Sequence, residues 1–338
     1  VGGIGTAESV TMARPMKAMN PTLSVVIVSW NTRKLVLDCL DSLVKCQFSV
    51  PVEIILVDNA SSDNTADCVR KQFPDTRIIE NNTNLGFARA NNQGLQVCSG
   101  EFIALINSDV VVSDGCLETM VNYMQRQPDI GMLGPKMILR DGSIGKSCYR
   151  FPTLWGWFCN AFSLRTVFNN SQRFGDFSMA NFKYDQTVDV DILTGWFWMV
   201  RKKAIDKIGH LDTQFFMYGE DLDWPKRFHE GGWRVVFLSE AQAIHYCGAS
   251  SDRAPTRFYV EKNRANLQYF KKHHSAVSLV GFWLAIWLHQ LVRIAGYGLL
   301  FLFRKTNREI AAYKVKRSAA CLLWLMRLMR LKNLSEVR

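Results

Sequence analysis

Leu23–Trp30 reads LSVVIVSW, a short run rich in β-branched residues, with hydroxyls only at Ser24 and Ser29. Apolar side chains without strict alternation fit a strand buried on both faces, as in a parallel sheet. Working outward, Leu35, Leu37, Leu40 and Leu43 recur among polar residues at helical spacing. VEIILVD at Val52–Asp58 is a second strand, and Ser61 to Phe73 is a capped helix stopped by Pro74. Thr76–Glu80 is a third strand, Phe87–Val97 a helix, Glu101–Ile106 a fourth strand and Leu117–Gln127 a further helix. Four alternations of strand and helix predict an α/β fold, a mostly parallel sheet with helices on both faces.

The pattern changes after this half. Arg140–Tyr184 has no clear period and many aromatic residues. Val188–Arg201 returns to a strand-like run. Lys202–Ile208 reads as a short helix closed by Gly209. A helix is expected near Leu222–Glu230, with Pro225 in its first turn, and a strand at Trp233–Leu238.

The charge is uneven. The 338 residues carry +11, but Lys262–Arg338 alone carries +13, which leaves −2 for the rest. The tail is therefore the part expected to meet an anionic partner, a membrane surface rather than nucleic acid. Within it Ser275–Phe303 is almost wholly apolar and long enough to span a bilayer. His289, Gln290 and Arg293 fall in its middle, where a charge is costly. A helical hairpin lying in the membrane surface fits better than a span; a buried core helix is the bland alternative. The nine cysteines are scattered, with no C-x-x-C pair, which argues for a reducing compartment. Residues 1–20 lack the charged-then-apolar order of a signal peptide and read as disordered.

Ligands of an open α/β sheet bind beyond the carboxyl ends of its strands. Ser29 and Trp30, Asp58, and the Asn107-Ser108-Asp109 triplet stand at three such ends. Singly, each is also an ordinary turn or capping residue. NTNLGFARANNQG, with Asn84, Gly86 and Arg89, resembles a phosphate cradle before a helix with free N–H groups. Its glycine spacing matches neither the Walker nor the dinucleotide-binding pattern. Asp109 is suited to a divalent ion that bridges phosphates, with His245 a further ligand or simply a structural histidine. FFMYGEDLDW, Phe215–Trp224, packs Glu220, Asp221 and Asp223 between aromatic residues, which opposes their ionisation.

In this order LSVVIVSWN, EIILVDNASSDNT, NLGFARANNQG, FIALINSD, ILTGWFWMVRKKAIDKIGHLD, FFMYGEDLDW and GWRVVFLSEAQAIHYCGAS resemble family 2 glycosyltransferases of the GT-A fold, in particular the rhamnosyltransferase-like branch. The resemblance covers roughly residues 22–251. It implies an inverting transfer of a sugar from a nucleotide donor, best guess L-rhamnose from dTDP-rhamnose, to a lipid-linked or polysaccharide hydroxyl. A UDP-sugar is the alternative donor. It implies Asp58 at the nucleobase, Ser29, Trp30 and Asn31 lining its pocket, and Asn84, Gly86, Arg89, Asn107 and Ser108 around the nucleotide sugar. Asp109 and His245 would hold Mg²⁺ or Mn²⁺. Asp221 would be the base, with Glu220 the less favoured bearer. Gly195, Trp196, Tyr218 and Trp224 would form the acceptor side. The implied layout is residues 1–21 as a disordered lead, 22–255 as the catalytic domain (nucleotide half 22–135, acceptor half 136–255), and 256–338 as a helical membrane-associating tail. The implied location is the cytoplasmic face of the plasma membrane.

Two residues depart from the family pattern. Asn107 replaces the first acid of the D-x-D motif, and Trp224-Pro225 follows GEDLD where an aliphatic residue and Cys or Ala are usual. A glycoside hydrolase with paired carboxylates and a non-catalytic scaffold are weaker readings. A processive synthase would show Q-x-x-R-W, which is missing.

Overall fold

The computed structural model describes residues 21–46, 48–164, 168, 179, 181–246, 254–303 and 308–330. The expected disordered lead lies outside the described residues apart from Pro21. So does the end of the last family motif, from Cys247.

The first half follows the sequence closely. β1 (Leu23–Ser29), α1 (Arg33–Lys45), β2 (Val52–Asp58), α2 (Thr65–Gln72), β3 (Arg77–Glu80), α3 (Phe87–Val97) and β4 (Phe102–Asn107) alternate as expected. Their strands pair in parallel in the order β3-β2-β1-β4. Successive side chains of a strand point to opposite faces. Leu23, Val25 and Ile27 accordingly enter one core with Val36, Leu40 and Met120, whereas Val26 enters another with Ala88, Trp198 and Phe228. Both faces of the sheet are covered, which is why these strands read as continuous apolar runs.

The second half is more broken than its sequence suggested. β5 (Val110–Val112), α4 (Cys116–Arg126), β6 (Ile130–Leu139), β7 (Cys148–Tyr149), α5 (Leu154–Ala161), β8 (Val188–Asp189), β9 (Ile192–Leu193), β10 (Phe197–Arg201), α6 (Lys202–Ile208), α7 (Glu220–Glu230) and β11 (Arg234–His245) follow. The strand-like run Val188–Arg201 is three separate strands. β10 joins β4 antiparallel, and the sheet continues β10-β6-β11-β5, with β8 also on β11.

α7 begins at Glu220, so Asp221 is its second residue and Pro225 lies inside it rather than in its first turn. A proline there lacks the N–H that would meet the carbonyl four residues earlier, at Asp221. Trp224 does not face an acceptor. It is fully buried, its indole N–H donates to the Gly209 carbonyl at 3.0 Å, and its ring packs on Trp198 and Phe228.

The tail forms α8 (Pro255–His273), α9 (Ala276–Phe303) and α10 (Arg308–Arg330). They share a third core, in which Phe270 stacks on Phe282 with ring centroids 4.0 Å apart and Phe215 joins from the loop before α7. α9 is long and apolar enough to cross a membrane. It is not a core helix: Phe282, Ala285, Ile286 and Gln290 are its buried residues, while Val277, Leu302 and Phe303 are 83%, 65% and 79% exposed.

One ion cluster clamps this tail to α7. The fully buried Asp223 carboxylate accepts from Arg227 at 2.8 Å, Lys272 at 2.6 Å and His273 at 2.7 Å. Burial alone would raise its pKa. The His273 hydrogen bond, the Arg227 charge and Lys272 outweigh that and hold it at about 2. Asp223 therefore does more than favour the first helical turn. Its folded pKa is depressed, so its contribution to stability is present above pH ~4 and lost as pH falls toward the folded value. Asp223→Ala should lower the unfolding free energy by about 3 kcal/mol, measured by denaturant titration at neutral pH, and the gap between wild type and variant should shrink in acid.

Candidate active site

The floor of the site is a chain of hydroxyls. Ser29 Oγ lies 2.9 Å from Thr32 Oγ1, which lies 2.9 Å from Ser108 Oγ. This chain joins the ends of β1 and β4. Ser29 is fully buried and lies beneath the cleft, so it does not line a pocket as expected. Asn31, at φ +55°, accepts from the Ser62 N–H at 2.7 Å and ties the loop after β1 to the loop after β2. Asp58 is buried. One carboxylate oxygen accepts from the Ser61 N–H at 3.3 Å, while Oδ1 is buried with no partner. Burial raises its pKa. An unpartnered carboxylate oxygen at a strand end is suited to an N–H donor from a ligand.

Asn59, one residue on, escaped the sequence reading, although it stood within a quoted motif. Its side chain donates to Asn84 Oδ1 at 2.9 Å and accepts from the Leu85 N–H at 2.9 Å. Asn84 Oδ1 in turn accepts from the Gly86 N–H at 2.9 Å, and the Phe87 N–H donates to the Phe216 carbonyl at 2.8 Å. The N–H groups of Leu85, Gly86 and Phe87 are thus already bonded within the chain, and Phe87 opens the helix whose free N–H groups were expected to meet phosphate. Gly86 serves this packing: at φ +82° a Cβ would sit 2.6 Å from the Phe216 ring and carbonyl. Arg89 is exposed and lies off the cleft.

The cleft, about 250 Å³, is lined by Trp30, Asn59, Asn84, Gly86, Asn107, Ser108, Asp109, Tyr218, His245 and Phe258, among others. Asp109 and His245 meet because β5 pairs antiparallel with β11, which sets His245 opposite Val110. The ring Nε2 lies 3.1 Å from Asp109 Oδ1, and the Tyr246 N–H donates to the Asp109 carbonyl at 2.9 Å. Trp196 stacks on His245, with centroids 5.4 Å apart. Trp196 is buried in the sheet core and braces His245; it does not form an acceptor wall. Among the described residues no group of three or more His, Cys, Asp or Glu side chains is disposed to hold a metal. One carboxylate and one imidazole still suit an ion whose remaining ligands are substrate oxygens and water.

Gly195 and Trp196 connect this end to the acids of α7. The Trp196 carbonyl accepts from the Asn107 N–H at 2.9 Å, and a Cβ on Gly195 would lie 3.7 Å from Asp221 Cβ. Asp221 is half-buried at residue level, but its Oδ1 is buried with no partner. Burial raises its pKa, and the charge of Lys262 on α8 works against that rise. Glu220 is buried, accepts from the Gly219 N–H at 3.1 Å, and is pushed up by burial and by Asp221. Lys262 was not foreseen, since nothing local in the sequence ties it to a residue 41 positions earlier.

Residues 24–209 match the model of glycosyl transferase family 2. The chain belongs to this family. It is a glycosyltransferase that uses a nucleotide-sugar donor. It is 26% identical over 250 residues to N-acetylglucosaminyl-diphospho-decaprenol L-rhamnosyltransferase of Mycobacterium tuberculosis, covering 70% of this chain and 78% of the relative. It is 22% identical over 224 residues to poly-β-1,6-N-acetyl-D-glucosamine synthase of Staphylococcus epidermidis, covering 65% of this chain and 48% of that enzyme. The fold is similar to a mannosyltransferase of Pyrobaculum calidifontis solved with GDP-mannose and Mn²⁺, at a TM-score of 0.52, 16% identity, and 91% and 89% coverage of the two chains. The expected GT-A architecture is therefore the observed one.

Asn59→Ala should remove the hub of the 84–86 turn, leaving at least one buried partner unsatisfied at a cost of about 1–3 kcal/mol. Thermal unfolding should register the loss, and nucleotide affinity should weaken with it.

Proposed function

We propose that the enzyme transfers a sugar with inversion from a nucleoside diphosphate donor to a hydroxyl of a lipid-linked or polysaccharide acceptor. L-rhamnose from a dTDP donor is the preferred reading. The observation that carries the mechanism is the unpartnered Asp221 oxygen beside Gly195, one residue from the Trp196 carbonyl that engages Asn107. Asp221 takes the proton from the acceptor hydroxyl as that oxygen bonds to the anomeric carbon and the bond to the diphosphate breaks. Burial makes its carboxylate a stronger base, and Lys262 keeps enough of it ionised to act. Glu220, raised beside it, is more readily the protonated partner of the pair. Asp58 receives a nucleobase N–H through its free oxygen. Asp109 and His245 would hold Mg²⁺ or Mn²⁺, which when bound would offset the charge of the departing diphosphate.

Rhamnose rests on the mycobacterial relative, whose name states an L-rhamnosyl transfer to a diphospho-decaprenol acceptor. An N-acetylhexosaminyl donor is the second reading, favoured by the staphylococcal relative. The exposed apolar side of α9 and the basic tail support attachment to the cytoplasmic face of a membrane.

Release of nucleoside diphosphate should be fastest with dTDP-rhamnose across a panel of nucleotide sugars; a UDP-sugar that outruns it would transfer the assignment. Asp221→Asn should lower kcat by at least about 10²-fold with donor affinity retained, and full activity in this variant would remove Asp221 from the base role. Because the Asp221 pKa is raised, activity should rise with pH through a value well above the ordinary ~3.9 of aspartate, and this acid limb should be read from kcat/KM against pH.

A further inference from the structure

The three tail helices enclose a second polar site that the transfer chemistry does not use. Arg317 lies over the Tyr259 ring at 4.2 Å, and Arg293 lies 5.9 Å from the same ring and 5.1 Å from Tyr297. Arg293 Nε donates to the buried Ser318 hydroxyl at 3.3 Å. The Tyr259 hydroxyl donates to Gln290 Oε1 at 3.0 Å, which occupies the oxygen of a fully buried amide. Three donors are left buried without partners: Gln290 Nε2, Arg293 Nη2 and Arg317 Nε. Among the described residues neither arginine forms an ion pair, and the nearby Glu261 is committed to Arg264 at 3.2 Å.

These groups want an acceptor that also carries negative charge. Water would satisfy the hydrogen bonds yet leave two guanidinium charges around one ring without a counter-charge. A phosphate oxygen answers both needs, because guanidinium forks match its geometry. Lys314 feels the same field: burial first, then Arg317 and Arg293, lower its pKa. Both arginines are half-buried, so the site has a mouth. About two turns further along the same face of α9, Leu300 and Phe301 are 36% and 41% exposed, an apolar continuation of a phosphate-sized cluster of donors. Tyr259 also directly follows Phe258, which lines the catalytic cleft, and precedes Lys262 by one helical turn.

We propose that Arg293, Arg317 and Gln290 hold the phosphate or diphosphate group of a lipid whose chain runs along α9, with the group it carries directed toward the cleft at Phe258. This deepens the transferase reading and rests on it only for the direction of the carried group. The shared chemistry is a lipid phosphate; its source is either the diphosphate of a polyprenyl acceptor or the headgroup of a bulk anionic phospholipid.

The test is flotation of the full chain with three vesicle types: phosphatidylcholine alone, with polyprenyl diphosphate, and with phosphatidylglycerol at matched charge. Wild type should bind at least one phosphate-bearing type roughly tenfold or more above the neutral vesicles. Arg293→Gln/Arg317→Gln should lose most of that preference. Lys316→Gln/Arg327→Gln, which removes the same charge from exposed positions of α10, should keep it. Tighter binding to polyprenyl diphosphate identifies the acceptor headgroup; equal binding identifies bulk phospholipid. If both double variants lose the preference equally, the attraction is diffuse and the site is refuted, as it is if wild type shows no preference. Should the glutamine pair fail to fold, Arg293→Lys/Arg317→Lys keeps the charge but not the fork, and retention of the full preference there also refutes the site. Nucleoside diphosphate release by the same wild-type preparation is measured separately. Turnover without lipid preference refutes only this site, and lipid preference without turnover refutes only the transferase reading.

Discussion

Phe197 stands opposite Ile106 across the antiparallel pair of β4 and β10, and the whole site is built on that register. It brings Gly195 and Trp196, just before β10, against the end of β4. From there the Trp196 carbonyl fixes Asn107, the Trp196 ring braces His245, and Gly195 lies against the Trp198 ring with Asp221 beside it. A parallel first half thus meets a mixed second half at one strand, β10, which is antiparallel to both β4 and β6. A slip of one residue would turn every side chain of β10 to the other face. Trp198 and Val200, now packed with Trp224 and Ile205, would face the opposite core.

The halves were not equally legible. In the first, β1, β2 and β4 are buried on both faces and each helix carries its own apolar stripe, so local pattern is enough. β6 went unseen because Gly131, Gly134 and Pro135 break its apolar run. The glycines are demanded from outside the strand: a Cβ at Gly131 would meet Phe228, and one at Gly134 would meet Leu193. A sequence window shows the missing side chain but not the neighbour that excludes it.

The same limit explains which site residues were misjudged. Asp58, Asp109 and His245 stand at strand ends, where topology alone sends them to the sheet's ligand edge. The turn at Leu85–Phe87 looked open because its glycine precedes a helix. Its N–H groups are consumed by Asn59, by Asn84 and by Phe216, the last of these 129 positions from Phe87. Trp224 sits among acids, yet its ring packs on Trp198, 26 positions earlier, a neighbour that no local window shows. Neighbouring acids likewise take different charges: Asp223 accepts from Arg227, Lys272 and His273 and is pulled down, while burial pushes Asp221 and Glu220 up.

The charge state of Asp221 depends on α8, because the charge of Lys262 opposes the rise that burial gives its pKa. α8 is held against α7 by Asp223 and against the loop before it by Gln268, which donates to the Gln214 carbonyl at 3.1 Å. α8 also presents Tyr259 to Gln290, Arg293 and Arg317 of the hairpin. Tyr259 and Lys262 lie one turn apart on α8, so one helix both meets the apolar hairpin and bears on Asp221. The tail is thus packed into the same structure that carries Asp221.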